Sequence, residues 1–349
     1  MATSSHTDHR DAQRAATAHT ETSFIKNSGV LRERENASQA VGAYVTMEEL
    51  VALANAQCRI DLHAQKRALA AMAGSHRSAF RGRGIDFDEV RIYTPGDDVR
   101  SIDWRVTART GRTHTKVFRE ERERPVYLMV DQRQSMFFGS HTAMKSVVAA
   151  RTAALLAWAT REQGDRLGAL IFNDQHVHEL RPREGKRGIQ ALFRILVQFN
   201  QFLGADQPVI TPSRQPFSQA LEALAHVVRP GSLVVVISDF QQFDSISVQQ
   251  LQLVKRLSDV IAISISDPLE ARLPKGGTYG YTNGEQSVRV DTRNREFRKR
   301  FSIHFVEQQN QLREALLAQG IPTIPISTDA ALADTLGKAL GLRHRRGVR

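Results

Sequence analysis

Residues 126–140, which read VYLMVDQRQSMFFGS, join a short apolar run to side chains that could hold an ion. Asp131 ends the run, and Ser135 follows four residues later. Carboxylate and hydroxyl oxygens suit a hard divalent cation such as Mg²⁺. In the spacing Asp-x-Ser-x-Ser, a common way to hold such a cation, the middle serine is replaced here by Arg133. The sequence therefore raises two hypotheses, a metal site or an arginine in place of the metal.

A second carboxylate follows a second apolar run. Residues 231–240 read GSLVVVISDF, and the near-continuous apolar stretch before Asp239 predicts a strand buried on both faces. In open parallel sheets, ligand sites lie beyond the carboxyl ends of the strands. We therefore expect Asp131 and Asp239 to meet at one edge of a sheet.

Arg133 decides between the two hypotheses. At an effective dielectric constant of about 20, a unit charge about 4 Å from a like charge costs about 4 kcal/mol, and a divalent ion doubles this. The guanidinium can instead donate charge-assisted hydrogen bonds to Asp131 or Asp239. We hypothesise that Arg133 is a built-in cation that neutralises these carboxylates, so that no metal or other cofactor is expected. Two alternatives stay open: Asp131, Ser135 and Asp239 bind Mg²⁺ weakly while Arg133 points into solvent, or the group does neither.

The segment YTPGDDVRSIDWR at 93–105 holds a second set of charged residues. One interpretation is a docking face for a partner, formed by Asp97, Asp98 and Arg100. The other is a turn, in which Pro95 presets φ and an aspartate caps the following backbone, while Trp104 clamps the segment to the rest of the protein. The abundance of turn-forming residues favours the second interpretation.

The composition of the chain divides it into five parts. We expect a disordered leader at 1–42, an N-terminal helix at 43–74, a small β-rich module at 75–124, an alternating α/β domain at 125–342 and a basic tail at 343–349. Within the second part, Thr46 and Glu49 have capping-box spacing, and apolar residues from Val51 onward, Cys58 included, predict an amphipathic helix of about 25 residues.

From Val126 the apolar patterns alternate between strands and helices. QHVHEL at 175–180 is expected to pair as a hairpin with the strand before it, and a long helix is predicted from about Arg293 to Gln319. The fold class predicted is α/β, with a doubly wound, mostly parallel sheet and the small β-rich module inserted before it.

The run Tyr93-x-Pro95-Gly96-Asp97-Asp98-x-Arg100-x-Ile102-Asp103-Trp104, with Asp131-x-x-x-Ser135-Met136 and ISDF at 237–240, resembles the bacterial domain of unknown function 58 family. The resemblance spans roughly residues 47–342. It implies a von Willebrand factor A-like sheet and an adaptor or chaperone-like role beside a MoxR-type AAA+ ATPase. It also implies a degenerate metal-ion-dependent adhesion site, in which Gln215 stands at the threonine position.

The expected function is a non-enzymatic protein-interaction module. Its expected partners are a MoxR-type AAA+ ATPase and other von Willebrand A proteins, and its expected contact residues are Asp131, Arg133, Ser135 and Asp239, with Asp97, Asp98 and Arg100. One alternative is a Mg²⁺-dependent von Willebrand A domain. The other is nucleic-acid binding by residues 271–300, which hold eight Lys/Arg against three acids, and by the tail; the small aromatic content disfavours it.

Other features exclude several classes of protein. The chain has neither a Walker-type phosphate loop nor a G-x-S-x-G nucleophile elbow, and no small-molecule substrate is expected. It has no apolar run of about 18 residues, so no membrane span is predicted. Its single cysteine, Cys58, fits a reducing cytoplasm.

Overall fold

The structure, a computed structural model, describes residues 42–55, 60, 62, 85–95, 97–120, 125–204, 215–282 and 287–341. The predicted leader apart from Gly42, the residue Cys58 and the predicted tail at 343–349 lie outside these residues. In the described part of the chain, no helix has the length and apolar character needed to cross a membrane.

The described strands are β1 Ile85–Ile92, β2 His114–Glu120, β3 Val126–Asp131, β4 Leu167–Phe172, β5 Val177–Arg183, β6 Ser232–Ser238, β7 Ser258–Ser266, β8 Thr278–Thr282, β9 Ser287–Asp291 and β10 Thr323–Ser327. The described α-helices are α1 Met47–Ala52, α2 Trp104–Thr110, α3 Lys145–Glu162, α4 Gly185–Gln201, α5 Pro216–Val227, α6 Ser245–Leu257, α7 Pro268–Ala271, α8 Arg295–Ala318 and α9 Leu332–Leu340.

Six strands form the central sheet in the order β10-β7-β6-β3-β4-β5. Neighbouring strands are parallel except β5, which pairs antiparallel with β4 at one edge. The predicted hairpin partner is therefore confirmed, as is a mixed α/β fold with a mostly parallel sheet. The strand pairs β1–β2 and β8–β9 form two separate antiparallel ladders.

Helices cover both faces of the sheet. On β3, Val126, Leu128 and Val130 belong to one hydrophobic core, whereas Tyr127 and Met129 belong to the other. This alternation follows from the two-residue period of a strand. Helices α1, α3, α4 and α9 contribute to the first core, and α5, α6 and α8 to the second. The continuous apolar runs in the sequence reflect this burial on two sides.

The N-terminal helix is shorter than the sequence predicts. Thr46 caps α1, since its Oγ1 accepts a hydrogen bond from the backbone N of Glu49 (3.2 Å). The prediction of one continuous helix is wrong, because α1 ends at Ala52 and a 3₁₀ turn follows. Apart from Ile60 and Leu62, the rest of the predicted helix, 56–74, lies outside the described residues. The indole of Trp158 donates to the carbonyl of Leu50 (3.1 Å), the group that would accept the next helical bond. Tertiary contact with α3 thus replaces helix propagation.

The module expected to be β-rich holds a strand pair and a helix. Between β1 and β2 lie a 3₁₀ turn, Val99–Ser101, and α2, which Gly111 ends with a left-handed φ of 69°. The expectation that Trp104 clamps this module to the sheet is wrong, because Trp104 is 70% exposed.

Candidate functional site

The candidate site lies where β3 and β6 end side by side. Val130 is in register with Ile237, so the ends of the two parallel strands reach the same edge of the sheet. Asp131 is the last residue of β3, and Asp239 follows β6 directly. Both are buried. The two carboxylates therefore lie at the same edge of the sheet, as predicted from the sequence.

Arg133 folds back onto Asp131. Its Nε donates to both carboxylate oxygens at 3.0 Å, and its Nη2 donates to Oδ2 at 2.6 Å. Its backbone N donates to Oδ1 at 2.9 Å. The Arg133 side chain is 2% exposed. A planar guanidinium binds a carboxylate through two parallel hydrogen bonds in this way.

The rest of the guanidinium contacts the neighbouring strand end. Nη2 lies 3.4 Å from Oδ1 of Asp239, and Cζ lies 5.7 Å and 5.4 Å from the ring centroids of Phe172 and Phe217. These rings exclude water and add cation–π attraction. The position that the sequence assigns to a metal or to an arginine is filled by a buried arginine side chain.

Lys145 supplies a second buried cation, which is not among the site residues predicted from the sequence. It is the first residue of α3, and its side chain is 0% exposed. Its Nζ donates to Oδ2 of Asp239 (2.9 Å) and to Oε1 of Glu270 (2.6 Å). A lysine at a helix N-terminus opposes the helix dipole. That local mismatch is the one signal in the sequence that Lys145 is needed elsewhere.

Glu270 completes what we call the charge cluster, which is Asp131, Arg133, Lys145, Asp239 and Glu270. In the short helix α7, Glu270 belongs to a capping box, in which its Oε2 accepts from the backbone N of Asp267 (2.8 Å). Its side chain is 22% exposed, which makes it the most accessible member of the cluster.

The cluster is held in its charged form. Burial alone would lower the pKa of Arg133, but the adjacent Asp131 carboxylate raises it above its ordinary value. Burial likewise opposes the charge on Lys145, and Asp239 with Glu270 outweighs it, so that the pKa of Lys145 is raised. Burial would raise the pKa of Asp239, but Lys145 and then Arg133 hold it below its usual range. None of these three groups is poised to exchange a proton near neutral pH.

Asp174 supports the turn that carries Arg133. The turn Gln134–Met136 is 3₁₀, and the backbone N of Gln134 donates to Oδ2 of Asp174 (2.7 Å). Burial raises the pKa of Asp174. Asp174, which follows β4, is not among the site residues predicted from the sequence.

A divalent ion does not fit between the cluster carboxylates in this arrangement. Both oxygens of Asp131 accept from Arg133, and Oδ2 also accepts from the hydroxyl of Ser238 (2.6 Å). Oδ2 of Asp239 accepts from Lys145. The oxygen atoms that would bind a metal are therefore occupied by side-chain donors.

The two remaining predicted ligand positions do not join the cluster. The Oγ of Ser135 is buried and has no hydrogen-bond partner among the described residues. Gln215 is exposed at the start of α5 and makes no side-chain capping bond. Within the described ranges, no three His, Cys, Asp or Glu side chains are grouped so as to hold a metal ion.

The predicted contact residues of the Pro-Gly-Asp-Asp segment take part in local turn structure. Asp97 accepts from the backbone N of Thr94 (3.0 Å) and from Nη2 of Arg91 (2.7 Å). Asp98 caps the 3₁₀ turn by accepting from the backbone N of Arg100 (2.9 Å). These bonds are those of the turn interpretation, while the docking role of Asp97, Asp98 and Arg100 stays a prediction.

A groove of about 740 Å³ opens beside the cluster, and helix α8 lines one side of it. The other side is the loop after β6, in which Phe240 and Gln242 have left-handed φ values of 55° and 63°. Such a conformation costs about 1–3 kcal/mol per residue and persists only where surrounding contacts impose it. Hydrogen bonds with the cluster and with Ser238 hold this loop. Phe240 N donates to Oγ of Ser238 (2.9 Å), and Gln241 N donates to Oδ1 of Asp239 (3.0 Å). Arg133 Nη1 donates to the carbonyl of Gln241 (3.2 Å).

Comparison with known proteins identifies relatives of unknown function. The family described as "Protein of unknown function DUF58" matches residues 89–311. An uncharacterized protein of Mycobacterium tuberculosis (strain H37Rv) is 29% identical over 279 residues, which cover 79% of this chain and 85% of the relative. An uncharacterized protein of Mycobacterium bovis matches with the same identity and coverage.

Two solved structures from Bacteroides are also similar to the chain. One is an aerotolerance-related membrane protein of Bacteroides fragilis, with 15% identity, a TM-score of 0.38, and coverage of 62% of this chain and 96% of that one. The other is the conserved hypothetical protein BatB of Bacteroides thetaiotaomicron, with 14% identity, a TM-score of 0.37, and coverage of 62% and 98%.

Proposed function

The chain belongs to the DUF58 family of proteins of unknown function, and we propose that it is a non-enzymatic protein-interaction module whose binding face is the carboxyl edge of the sheet. The observation that carries this proposal is the charge cluster, in which Arg133 and Lys145 satisfy Asp131 and Asp239. The two side-chain cations take the place of a dissolved divalent ion, so that the binding face is preassembled.

The charge cluster lies beneath the proposed binding face and supports the residues that form it. Asp131, Arg133 and Asp239 are buried, so a partner meets first the residues that cover them. Those residues are the loop 240–243, whose strained backbone is held by bonds from Ser238, Asp239 and Arg133. We propose that the cluster fixes the shape of this loop, and that the loop contacts the partner.

The electrostatics disfavour catalysis by the same residues. A general acid or base works best with a pKa near the working pH. Asp239 has a lowered pKa, while the pKa values of Lys145 and Arg133 are raised, so each is driven away from that range. The cluster is suited to hold a shape and not to transfer protons.

We also propose that the fold is of the von Willebrand A type and that the partner is a MoxR-type AAA+ ATPase, with other von Willebrand A proteins in the same assembly. The strand order and the two carboxylates at the ends of β3 and β6 support the first proposal. The second extends the family resemblance of the Tyr93–Trp104 signature, and we place this encounter in the cytoplasm.

Two measurements test the proposed function. Calorimetric titration of the full chain with Mg²⁺ and Mn²⁺ is expected to give no micromolar binding, since a bound ion would sit against two fixed cations. Clear micromolar affinity for either ion would contradict the hypothesis that Arg133 takes the place of a metal. Co-purification from a native lysate with mass spectrometry is expected to recover a MoxR-type ATPase, and its absence from repeated captures would count against the adaptor role.

A further inference from the structure

The groove beside the charge cluster has one chemically unusual feature, an acidic floor between aromatic walls. Its apolar walls are Phe240 and Phe243 from the loop after β6 and Phe301, Phe305 and Leu312 from α8. Asp239 and Glu270 also line it. The remaining lining includes glutamine side chains and His304, and no lysine or arginine faces the groove among the described residues.

The floor carries an excess of negative charge. Within the charge cluster, three carboxylates face only two cations, Arg133 and Lys145. Arg133 pairs closely with Asp131 and more distantly with Asp239, and Lys145 is shared between Asp239 and Glu270. Glu270 is the member that solvent reaches, since its side chain is 22% exposed and those of Asp239 and Lys145 are at most 3% exposed. The cluster thus has one carboxylate more than it has cations, and Glu270, which shares Lys145 with Asp239, is the more exposed carboxylate that faces the groove.

The walls suit the same kind of ligand as the floor. Aromatic faces attract a cation within about 6 Å, and the attraction is stronger where water is excluded. Long alkyl stems of lysine and arginine also pack well on apolar surfaces. An acidic partner group would meet Glu270 and be repelled. A purely apolar group would remove water from a carboxylate whose one cation, Lys145, is shared with Asp239, which is costly.

We propose that this groove receives a lysine or arginine side chain from the partner protein, with the cation directed at Glu270 and the alkyl stem between Phe301 and Phe240. The proposal rests on the binding face proposed above and specifies the chemistry of its ligand. It does not depend on which protein the partner is.

The test uses three six-carbon probes on the full chain. Hexylammonium, 1-hexanol and hexanoate share an alkyl stem and differ in charge, and their binding is followed by NMR shifts of labelled phenylalanine rings. Hexylammonium is expected to bind at least about fivefold more tightly than hexanol, as a cation–π contact and an ion pair predict, and hexanoate more weakly than either. Equal binding of the three probes, tighter binding of hexanoate, or no saturable shift would overturn the proposal.

Variants locate the probe in the groove. Glu270→Gln is expected to reduce the preference for hexylammonium over hexanol to less than about twofold. Phe301→Ala, which leaves the charge cluster intact, is expected to weaken both probes. Ile303→Ala is the matched control, because Ile303 is 46% exposed on the same helix and does not line the groove. Circular dichroism of each variant verifies its fold, and an unchanged preference in folded Glu270→Gln would refute the role of this carboxylate.

The same variants separate this inference from the proposed function. If the native partner is captured equally by wild type, Phe301→Ala and Ile303→Ala, the interaction module stands and the proposed binding of a lysine or arginine in the groove is wrong. If the probes bind as expected and no partner is captured, the groove chemistry stands and the adaptor role fails.

Discussion

Among the described residues, two Asp-x-Arg pairs have nearly identical local geometry, and only one of the two is buried. At Asp131–Arg133, the arginine backbone N donates to Oδ1 at 2.9 Å and Nη2 donates to Oδ2 at 2.6 Å. At Asp291–Arg293 the same two bonds measure 2.9 Å and 2.8 Å. The side chains of the first pair are at most 2% exposed, whereas those of the second are 50% and 73% exposed.

The two pairs share their hydrogen-bond geometry but differ in how much they contribute to the stability of the fold. The fork of hydrogen bonds at Asp291–Arg293 forms without burial, and it lowers the pKa of Asp291 to about 2 even in solvent. Water and salt screen that exposed pair, so its lowered pKa does not convert into stability. At Asp131 no water can replace the arginine, and the pair becomes a structural requirement.

The largest expected effect is that of Arg133→Ala. This change leaves Asp131 buried without its cation, and the loss of one member of a buried pair costs about 3–5 kcal/mol. Chemical unfolding should therefore show a free energy of unfolding lower by about this amount. A loss below about 1 kcal/mol is typical of a surface pair, and it would contradict the claim that burial makes the Asp131–Arg133 pair more important than Asp291–Arg293.

A double variant sharpens that result. In Asp131→Asn with Arg133→Met, neither charge remains, so at least about half of the lost stability should return. If the double variant is as unstable as Arg133→Ala, the loss comes from the contacts of Arg133 with the 240–243 loop and not from an unpaired carboxylate.

The next largest effect is expected for Lys145→Met. It removes the principal cation beside Asp239, although Arg133 stays 3.4 Å from that carboxylate and Glu270 reaches solvent. We expect unfolding free energy to fall by about 2–4 kcal/mol, measured in the same assay. Lys299→Met, on an exposed position of α8, is the matched control, and an equal loss in that variant would contradict the explanation.

The pH dependence of Asp239→Asn gives a smaller, signed effect. Because the pKa of Asp239 is lowered in the fold, its contribution is present above the unfolded value of about 3.9 and is lost as pH falls through the folded value. Wild type should exceed the variant by about 1.5–3 kcal/mol at pH 7, with a difference that shrinks below about pH 4. The raised pKa of Lys145 keeps its contribution intact below about pH 10. If the difference in unfolding free energy between wild type and Asp239→Asn grew on acidification, the pKa of Asp239 would not be lowered in the fold.

Arg293→Ala should give the smallest effect. Its pair with Asp291 is exposed, so we expect no resolvable change in melting temperature at physiological salt. A shift comparable to that of Arg133→Ala would show that the local fork itself, and not burial, provides the stability.

The sequence predicts well what depends on local pattern. Apolar runs of strand length predicted the strands of the central sheet, and the positions of Asp131 and Asp239 at strand ends placed them at one edge. The charge of Arg133, together with the missing serine, was enough to suggest the pairing with Asp131 because the two residues are only two apart.

Contacts over long sequence separations could not be predicted in this way. Lys145 and Glu270 are 125 residues apart and meet only because β3, β6 and β7 are neighbours. The end of α1 depends on Trp158, which is 108 residues away from Leu50. Trp158 does not differ in its local sequence from an ordinary helix residue, and the local sign at Lys145, its place at a helix N-terminus, does not say which residue it contacts.

The two outer strands of the central sheet each contain a proline, Pro182 in β5 and Pro325 in β10. Proline has no backbone N–H to offer to an added strand, and prolines on sheet edges hinder edge-to-edge pairing. Recognition by strand addition, in which a peptide extends a sheet, is therefore hindered on both flanks. The same prolines hinder edge-to-edge pairing between two copies of the chain, which leaves the strand ends as the more accessible part of the sheet for a ligand.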